Sequence, residues 1–394
     1  MRASCLQENL ARGLSIIGRA VATRPTLPVL SHILLSTDQS QLKLAATDLE
    51  LFVVCWIGSK VEQEGAMTVP ARLFVDLINS LPPERIDLNL KEQTLHLWCG
   101  NNEADIKGID AQEFPLLPAA VDELQILLEA DLLRQMISRV VFAAATDESR
   151  PILTGVLTRF DKDVLTMAAA DGFRLSVCHA KLPNPVPEPI SVVIPAKALN
   201  ELARVCGDEK EPIGLSITPA RSQVLFHLQG NAGANEGRIF GIDLVSQLIE
   251  GNFVNYGQIV PKSYTTRTIL NTEEFLKACR TSNIFARSEA NVVHLKIEPG
   301  NGRPMPTSAG LSSGTATMTA TSAEMGDSAI ELNASVEGEA IEVAFDVRFL
   351  MDMLSVADSA QVCLETTDAS RPGVIRPVGS DEFVHVIMPM HIRS

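Results

Sequence analysis

The pattern closest to a nucleophile in this 394-residue chain is Gly310-Leu311-Ser312-Ser313-Gly314, which fits the G-x-S-x-G spacing of serine hydrolases. In those enzymes the serine stands on a strained turn between a strand and a helix. Ser312 falls instead in a run rich in Gly, Pro, Ser and Thr, residues 298–315, which reads as a surface loop with neither flank. Cys178-His179 would offer a thiolate and an imidazole, but neighbours on a strand point to opposite faces. The seven histidines (32, 96, 179, 227, 294, 385 and 391) are scattered, and neither H-E-x-x-H nor G-x-x-x-x-G-K-[ST] occurs. Seven cysteines at 5, 55, 99, 178, 206, 279 and 363 contain no C-x-x-C and no paired spacing. They read as reduced, mostly buried thiols of a soluble cytoplasmic protein, not as a disulfide framework or zinc site. The expectation is a non-catalytic chain with no metal and no cofactor; an esterase using Ser312 is the enzymatic alternative.

Basic residues give a more regular signal. Arg72 follows Val69-Pro70-Ala71, Lys197 follows Ile194-Pro195-Ala196, and Arg348 follows Phe345-Asp346-Val347, at offsets of 125 and 151 residues. Each opens an amphipathic stretch: VPARLFVDLINSL, IPAKALNELARV and FDVRFLMDML. A proline there suits a first helical turn, where its missing N–H costs nothing. Asp48, Asp171 and Ser322 end β-like runs at offsets of 123 and 151, and Pro28-Val29-Leu30 recurs as Pro151-Ile152-Leu153. Nearly equal offsets from separate motifs indicate three copies of one unit, the third degenerate.

The elements that must carry these residues are legible too. Leu10, Leu14, Ile17 and Val21 fall at helical spacing, as do Leu133, Ile137 and Val140, and Phe275, Leu276 and Cys279. Short alternating runs such as LELFVVCWIG, RIDLNL, TLHLWC, SVVIP, QVLFHL, HLKIE and AIEVAF predict strands. Each unit is therefore α+β, with two helices and several antiparallel strands. The boundaries predicted are 1–121, 122–250 and 251–394, with the 298–315 loop inserted in the third domain.

Composition narrows the function. The chain is 46% hydrophobic and 21% charged, which is globular, and has no run of eighteen apolar residues to span a membrane. Its formal charge of −15 argues against a protein coated in nucleic acid by bulk attraction, while leaving room for a local basic surface. Three units supply about six helices; at roughly 10 Å between axes these close a ring whose hole is near 10 Å, too tight for a duplex. Two copies, with about twelve helices, leave roughly 25–30 Å, enough for a duplex and its water. Joining end strands in such a dimer would also remove exposed sheet edges.

The segments RPTLPVL (24–30), AATDLEL (45–51), TVPARLF (68–74), FPLLP (114–118), SRPILTGV (149–156), AADGFRLSV (169–177), VIPAKALNEL (193–202) and VIMPMHI (386–392) follow in order along essentially the whole chain. In these the chain resembles the β sliding clamps, the processivity subunits of bacterial DNA polymerase III. The resemblance implies three tandem DNA-clamp domains pairing head-to-tail into a pseudo-sixfold homodimeric ring around duplex DNA. It further implies a clamp loader, the replicative DNA polymerase III, and other polymerases and repair proteins with Gln/Leu/Phe linear motifs as partners. The location implied is the bacterial cytoplasm, at the nucleoid through DNA, with no membrane contact.

Residue by residue, Arg24, Arg150 and Lys197 are implied as DNA contacts, joined by Arg72 and Arg348 through the repeat. A peptide pocket between domains two and three is implied at Leu153, Ala170, Gly172, Phe173, Arg174, Leu175, Ile259, Val362, Val386, Met388, Pro389 and Met390. Aliphatic walls and adaptable thioethers suit apolar anchors of many partners. Val254, Gln258 and His391 depart from residues common in the family. The subunit interface is expected where the edge near Ala104 and Ile106 meets Ile284-Phe285. A scaffold paralogue that has left DNA, or a self-resistance copy, are the non-catalytic alternatives.

Overall fold

The computed structural model describes all residues except 117–125, 208–210, 231–238, 289, 301–311 and 391–394. Its contacts gather into two compact units, residues 1–134 with 197–250, and 135–196 with 251–394. The expected 121/122 boundary lies outside the described residues, as do His391 and most of the 298–315 segment.

Six longer helices occur at the repeated positions: α1 (Gln7–Ile17), α2 (Ala71–Ser80), α3 (Ala130–Val140) and α4 (Ala196–Val205), then, after a single turn α5 (Tyr256–Ile259), α6 (Thr272–Ala286) and α7 (Val347–Val356). Leu10, Leu14 and Ile17 of α1 are buried, as the spacing predicts, but α1 ends at Ile17 and Val21 lies beyond it. Leu133, Ile137 and Val140, and Phe275 and Cys279, line the buried faces of α3 and α6. Pro70 and Pro195 do not sit in the first helical turn. Each is the last residue of a strand at the edge of its sheet, where a missing donor leaves no ladder bond unmade.

The first unit holds two antiparallel sheets. One has five strands in the order Lys60–Gln63, Arg2–Leu6, Arg85–Lys91, Thr94–Cys99, Asn102–Lys107. The other has eight, and it is continuous across two repeats because Leu51–Gly58 pairs with Ile239–Gln247, Val54 opposite Asp243 and Val53 opposite Leu244. The second unit holds one sheet of twelve strands, made continuous in the same way by Arg174–Lys181 against Phe383–Ile387, Leu175 opposite Val386. Both junctions join the strand that follows a repeat's Asp48 or Asp171 to the last strand of the next repeat. Two strands of these kinds are left as edges: Asn102–Lys107, and residues 326–333 of Gly326–Gly338, whose remaining residues pair with Thr266–Asn271.

The expected loop at 298–315 is shorter than its composition suggests. Glu298 pairs with Thr315 and Pro299 with Gly314, so both ends continue a hairpin. Ser312 opens an 11-residue strand with no helix after it, which removes the geometry a nucleophile elbow needs.

The core is tightest where α1 crosses its sheet. A Cβ on Gly13 would lie 2.6 Å from Leu44 Cδ1 and 2.9 Å from Ile57 Cγ2, both in fully buried side chains. Gly18, at the end of the same helix, has nothing within 4 Å and a helical φ of −59°. Gly13→Val should therefore cost about 1–3 kcal/mol through overpacking. Gly18→Ala should gain a few tenths up to about 1 kcal/mol by restricting the unfolded chain. Urea midpoints moving in opposite directions for the two variants check this packing.

Candidate functional site

Asp48, Asp171 and Ser322 recur for a structural reason. Asp171 Oδ1 accepts from the backbone N–H of Phe173 (2.8 Å) and Arg174 (3.0 Å), closing the hairpin turn. Asp48 Oδ1 does the same for Glu50 and Leu51, and Ser322 Oγ for Met325. Gly172, inside the second turn, has φ +96°, and a Cβ there would also meet Arg150 Nη1 at 2.9 Å. Its counterpart Leu49 holds φ +80°, a left-handed conformation costing a non-glycine roughly 1–2 kcal/mol.

The second turn aims Phe173 outward, 59% exposed, beside an apolar cavity of about 200 Å³. The floor is the sheet across the junction, where Ala170, Leu175 and Val386 are buried and pack with Ala168, Val177, Val374 and Val384. Leu153 comes from the short turn Pro151–Thr154, Val254 and Ile259 from the segment carrying α5, and Met388 from the chain end. Met388 N–H donates to Phe173 O at 2.8 Å, tying that end to the turn. Phe253, Val254, Tyr256 and Val260 cover the rest of the cluster.

Arg174 is the rigid post of the site. Its guanidinium donates to Asp171 Oδ2 (3.0 Å), Asp352 Oδ2 (2.5 Å) and Phe142 O (2.5 Å), and it stacks 4.3 Å from the Phe349 ring centroid. A group so fully bonded holds shape and contributes its stem to the wall. Arg150 stands opposite, donating to Asp171 O at 3.0 Å. A second, more polar cleft of about 550 Å³ shares Arg150, Phe173 and Arg174 with the first and continues to Arg348, Phe349 and Asp352.

The structure thus brings together Leu153, Ala170, Gly172, Phe173, Arg174, Leu175, Ile259, Val386 and Met388, nine of the twelve wall residues read from the sequence. Val362 does not join them: it is fully buried in Gln361–Thr366, two strands from Phe383–Ile387 in the sheet order. Pro389 and Met390 run past the cavity, Met390 N–H donating to Ala344 O. Arg150 and Val254 were missing from the wall. Arg150 was legible as the residue immediately before Pro151-Ile152, the start of the same turn as Leu153, and Val254 as a departure from family residues. Arg150 and Arg348, expected at DNA, stand at these clefts, and Arg348 is doubly bonded to Asp346 at 3.1 and 2.6 Å.

Of the other basic residues, Arg24 and Arg72 are exposed and form no ion pair among the described residues. Lys197, 56% exposed, pairs with Asp48. Arg204 is structural: it donates to the Ser15 and Ile16 carbonyls at 3.3 and 3.1 Å, capping the end of α1. At the expected interface, Ile106 is buried under its edge strand, Ala104 is half-buried, Phe285 is half-buried, and Ile284 is 57% exposed. Among the described residues no three His, Cys, Asp or Glu converge as a metal site, and no helix is long and apolar enough to cross a membrane.

Fold and site together define a three-domain clamp of helices and antiparallel sheets. Family models for the N-terminal, central and C-terminal domains of the DNA polymerase III beta subunit match residues 1–118, 127–255 and 257–391, and the chain belongs to that family. It is 29% identical to the beta sliding clamp of Synechococcus elongatus over all of both chains, and 29% identical to that of Bacillus subtilis over 99% of each. The crystal structure of the Bacillus subtilis DNA polymerase sliding clamp matches with a TM-score of 0.88 at 28% identity, covering 100% of this chain and 99% of that one.

Behind the cavity floor, His385 is fully buried and shares a 2.6 Å hydrogen bond with Ser176 Oγ, while its Nε2 has no partner among the described residues. Burial, aided by the nearby Arg174 charge, pushes its imidazole down to about 3. The unfolded chain takes up this proton below about pH 6.5 and the native chain does not, so stability falls as pH drops through that range. Between pH 7 and 5 the wild type should lose about 2 kcal/mol more than His385→Gln in urea unfolding. Parallel pH profiles would show that His385 is not the group responsible.

Proposed function

We propose that this chain acts as a homodimeric ring that encircles duplex DNA and holds replication and repair proteins to it through the cavity at Gly172. As a DNA polymerase III beta subunit it is a sliding clamp, a non-catalytic processivity factor. What supports the ring is the repeated junction. Leu51–Gly58 and Arg174–Lys181 each receive the last strand of the next repeat, and the third strand of this kind, residues 326–333, has an open edge. The first repeat's own last strand, Asn102–Lys107, is open as well. Pairing these two edges between copies repeats the junction twice more and is head-to-tail by construction. α6 packs on Ser312–Ser322 and Gly326–Gly338, so its exposed Ile284, with Phe285, would flank that contact.

Arg24, Arg72 and Lys197 are the residues we assign to DNA. A sliding collar needs few phosphate contacts, because each adds affinity and salt dependence without sequence information. The overall charge of −15 would keep DNA off the outer surface. Partners would include a clamp loader, the replicative polymerase and repair proteins, in a bacterial cytoplasm at the nucleoid. The apolar cavity and rigid Arg174 suit peptides with Gln and Leu/Phe anchors, and the cleft at Arg150 and Arg348 would receive the adjoining residues.

The test is assembly by a clamp loader and ATP on nicked circular DNA. The protein should stay on the circle and leave when it is linearised. Arg24→Ala with Lys197→Ala should lower retention several-fold at moderate salt with unchanged thermal stability. Unchanged retention would remove these residues from the DNA surface. A labelled peptide of pattern Gln-Leu-x-Leu-Phe should bind, and Gly172→Val should abolish binding by blocking Arg150 and straining the turn. Binding that survives the substitution would place the peptide elsewhere.

A further inference from the structure

The second unit also has a larger cleft than the one at Gly172. It holds about 810 Å³ and lies across the α5 segment, lined by Gly257, Val260, Pro261 and Lys262 on one side and by Arg267, Cys363, Glu365 and Arg376 from the sheet on the other. The same segment gives Val254 and Ile259 to the apolar cavity, so a short stretch of backbone forms the ridge between the two. Gly257 makes that ridge low: a Cβ there would find only Asn255 Oδ1, at 3.5 Å.

The chemistry changes across the ridge. Lys262, Arg267 and Arg376 face Glu365 and Asp381, a local positive excess on a chain of net −15. Glu365 stands between both arginines without satisfying either. Its carboxylate oxygens are 4.0 Å from Arg267 Nε and 3.6 Å from Arg376 Nε, beyond hydrogen-bond reach. Arg267 Nε donates to Cys363 Sγ at 3.2 Å, and the residue lines the cleft. Tyr264 and Val378, each more than a third exposed, supply an apolar rim. Two forked cations at partial exposure share one carboxylate, Glu365, at long range, and with Lys262 they offer donors suited to further carboxylates.

We propose that this cleft receives the acidic flank of a peptide whose apolar anchors occupy the neighbouring cavity, so that one linear segment is read twice, by shape at Gly172 and by charge at Lys262, Arg267 and Arg376. The inference rests on the peptide-binding role proposed above. It commits to an acidic peptide through continuity with that cavity and through charge complementarity. Partners with equal anchors would then be ranked by the residues beside them.

The experiment uses the full chain and labelled peptides with the Gln-Leu-x-Leu-Phe core, carrying three Glu or three Ser residues on the N-terminal or the C-terminal side. One Glu-flanked peptide should bind roughly three- to tenfold tighter than its Ser counterpart at low salt, the gain shrinking as salt screens it. Lys262→Gln with Arg376→Gln should erase that gain and leave binding of the Ser-flanked peptides unchanged. No gain on either side, or a gain that survives the double substitution, would overturn the inference while the core peptide still bound. Loss of the gain to a short competing DNA duplex would assign the cleft to phosphate and overturn it equally. Failure of the core peptide itself would instead strike the role of the apolar cavity.

Discussion

Everything in this molecule depends on backbone hydrogen bonding at the edge of a sheet. Each repeat ends in a strand that its own sheet leaves unpaired on one side, and an unpaired row of N–H and C=O groups invites another strand. The chain meets that demand twice within itself, at Val53–Leu244 and at Leu175–Val386. Two more edges of the same kinds, 102–107 and 326–333, are left open. The short edge Asn102–Lys107 carries Glu103, Asp105 and Lys107 outward, a composition that discourages indiscriminate pairing.

The same junction makes the candidate site, and comparison of the two junctions explains why one is open. At the first, Val29, Leu34, Ala45 and Val54 form an apolar floor that Phe114 and Ala111 cover from the segment following the first repeat's last strand. At the second, the corresponding cover is Phe253, Val254 and Tyr256, but it leaves a cavity bounded by Gly172, Phe173 and the end of the chain. The two turns differ in kind as well. Leu49 keeps the left-handed conformation against its preference, whereas Gly172 adopts it freely and leaves room for Arg150. A cavity has thus been made at a structural joint by opening its cover.

The repeat was legible in the sequence because it rests on local chemistry. A proline ending an edge strand, a basic residue opening a helix, and an Asp that caps a turn each need one residue type at one place, so spacing reveals them. What they do was less legible. Asp48 and Asp171 read as markers and prove to be turn caps; Arg348 reads as a partner of Arg72 and is held by Asp346 at the rim of a polar cleft. The wall residues next to Gly172 followed from one contiguous motif. Val362 lies apart from the cavity lining because its strand is two places from Phe383–Ile387 in the sheet, a distance that sequence does not reveal. Which strands pair between repeats is a long-range choice among many similar apolar runs, and alternation alone does not distinguish them. The polar cleft beyond α5 left no trace in the sequence, since Lys262, Arg267, Glu365 and Arg376 are unremarkable until the fold gathers them.

The central claim is that edge strands 102–107 and 326–333 are completed by a second copy. Hydrogen–deuterium exchange measured across a dilution series reads it directly. Where the protein sediments as a dimer, the outward amides of both strands should be protected, and both should lose protection together as dilution yields monomer, with Leu51–Gly58 and Arg174–Lys181 unchanged. Free exchange of these two strands in a folded dimer would contradict the account.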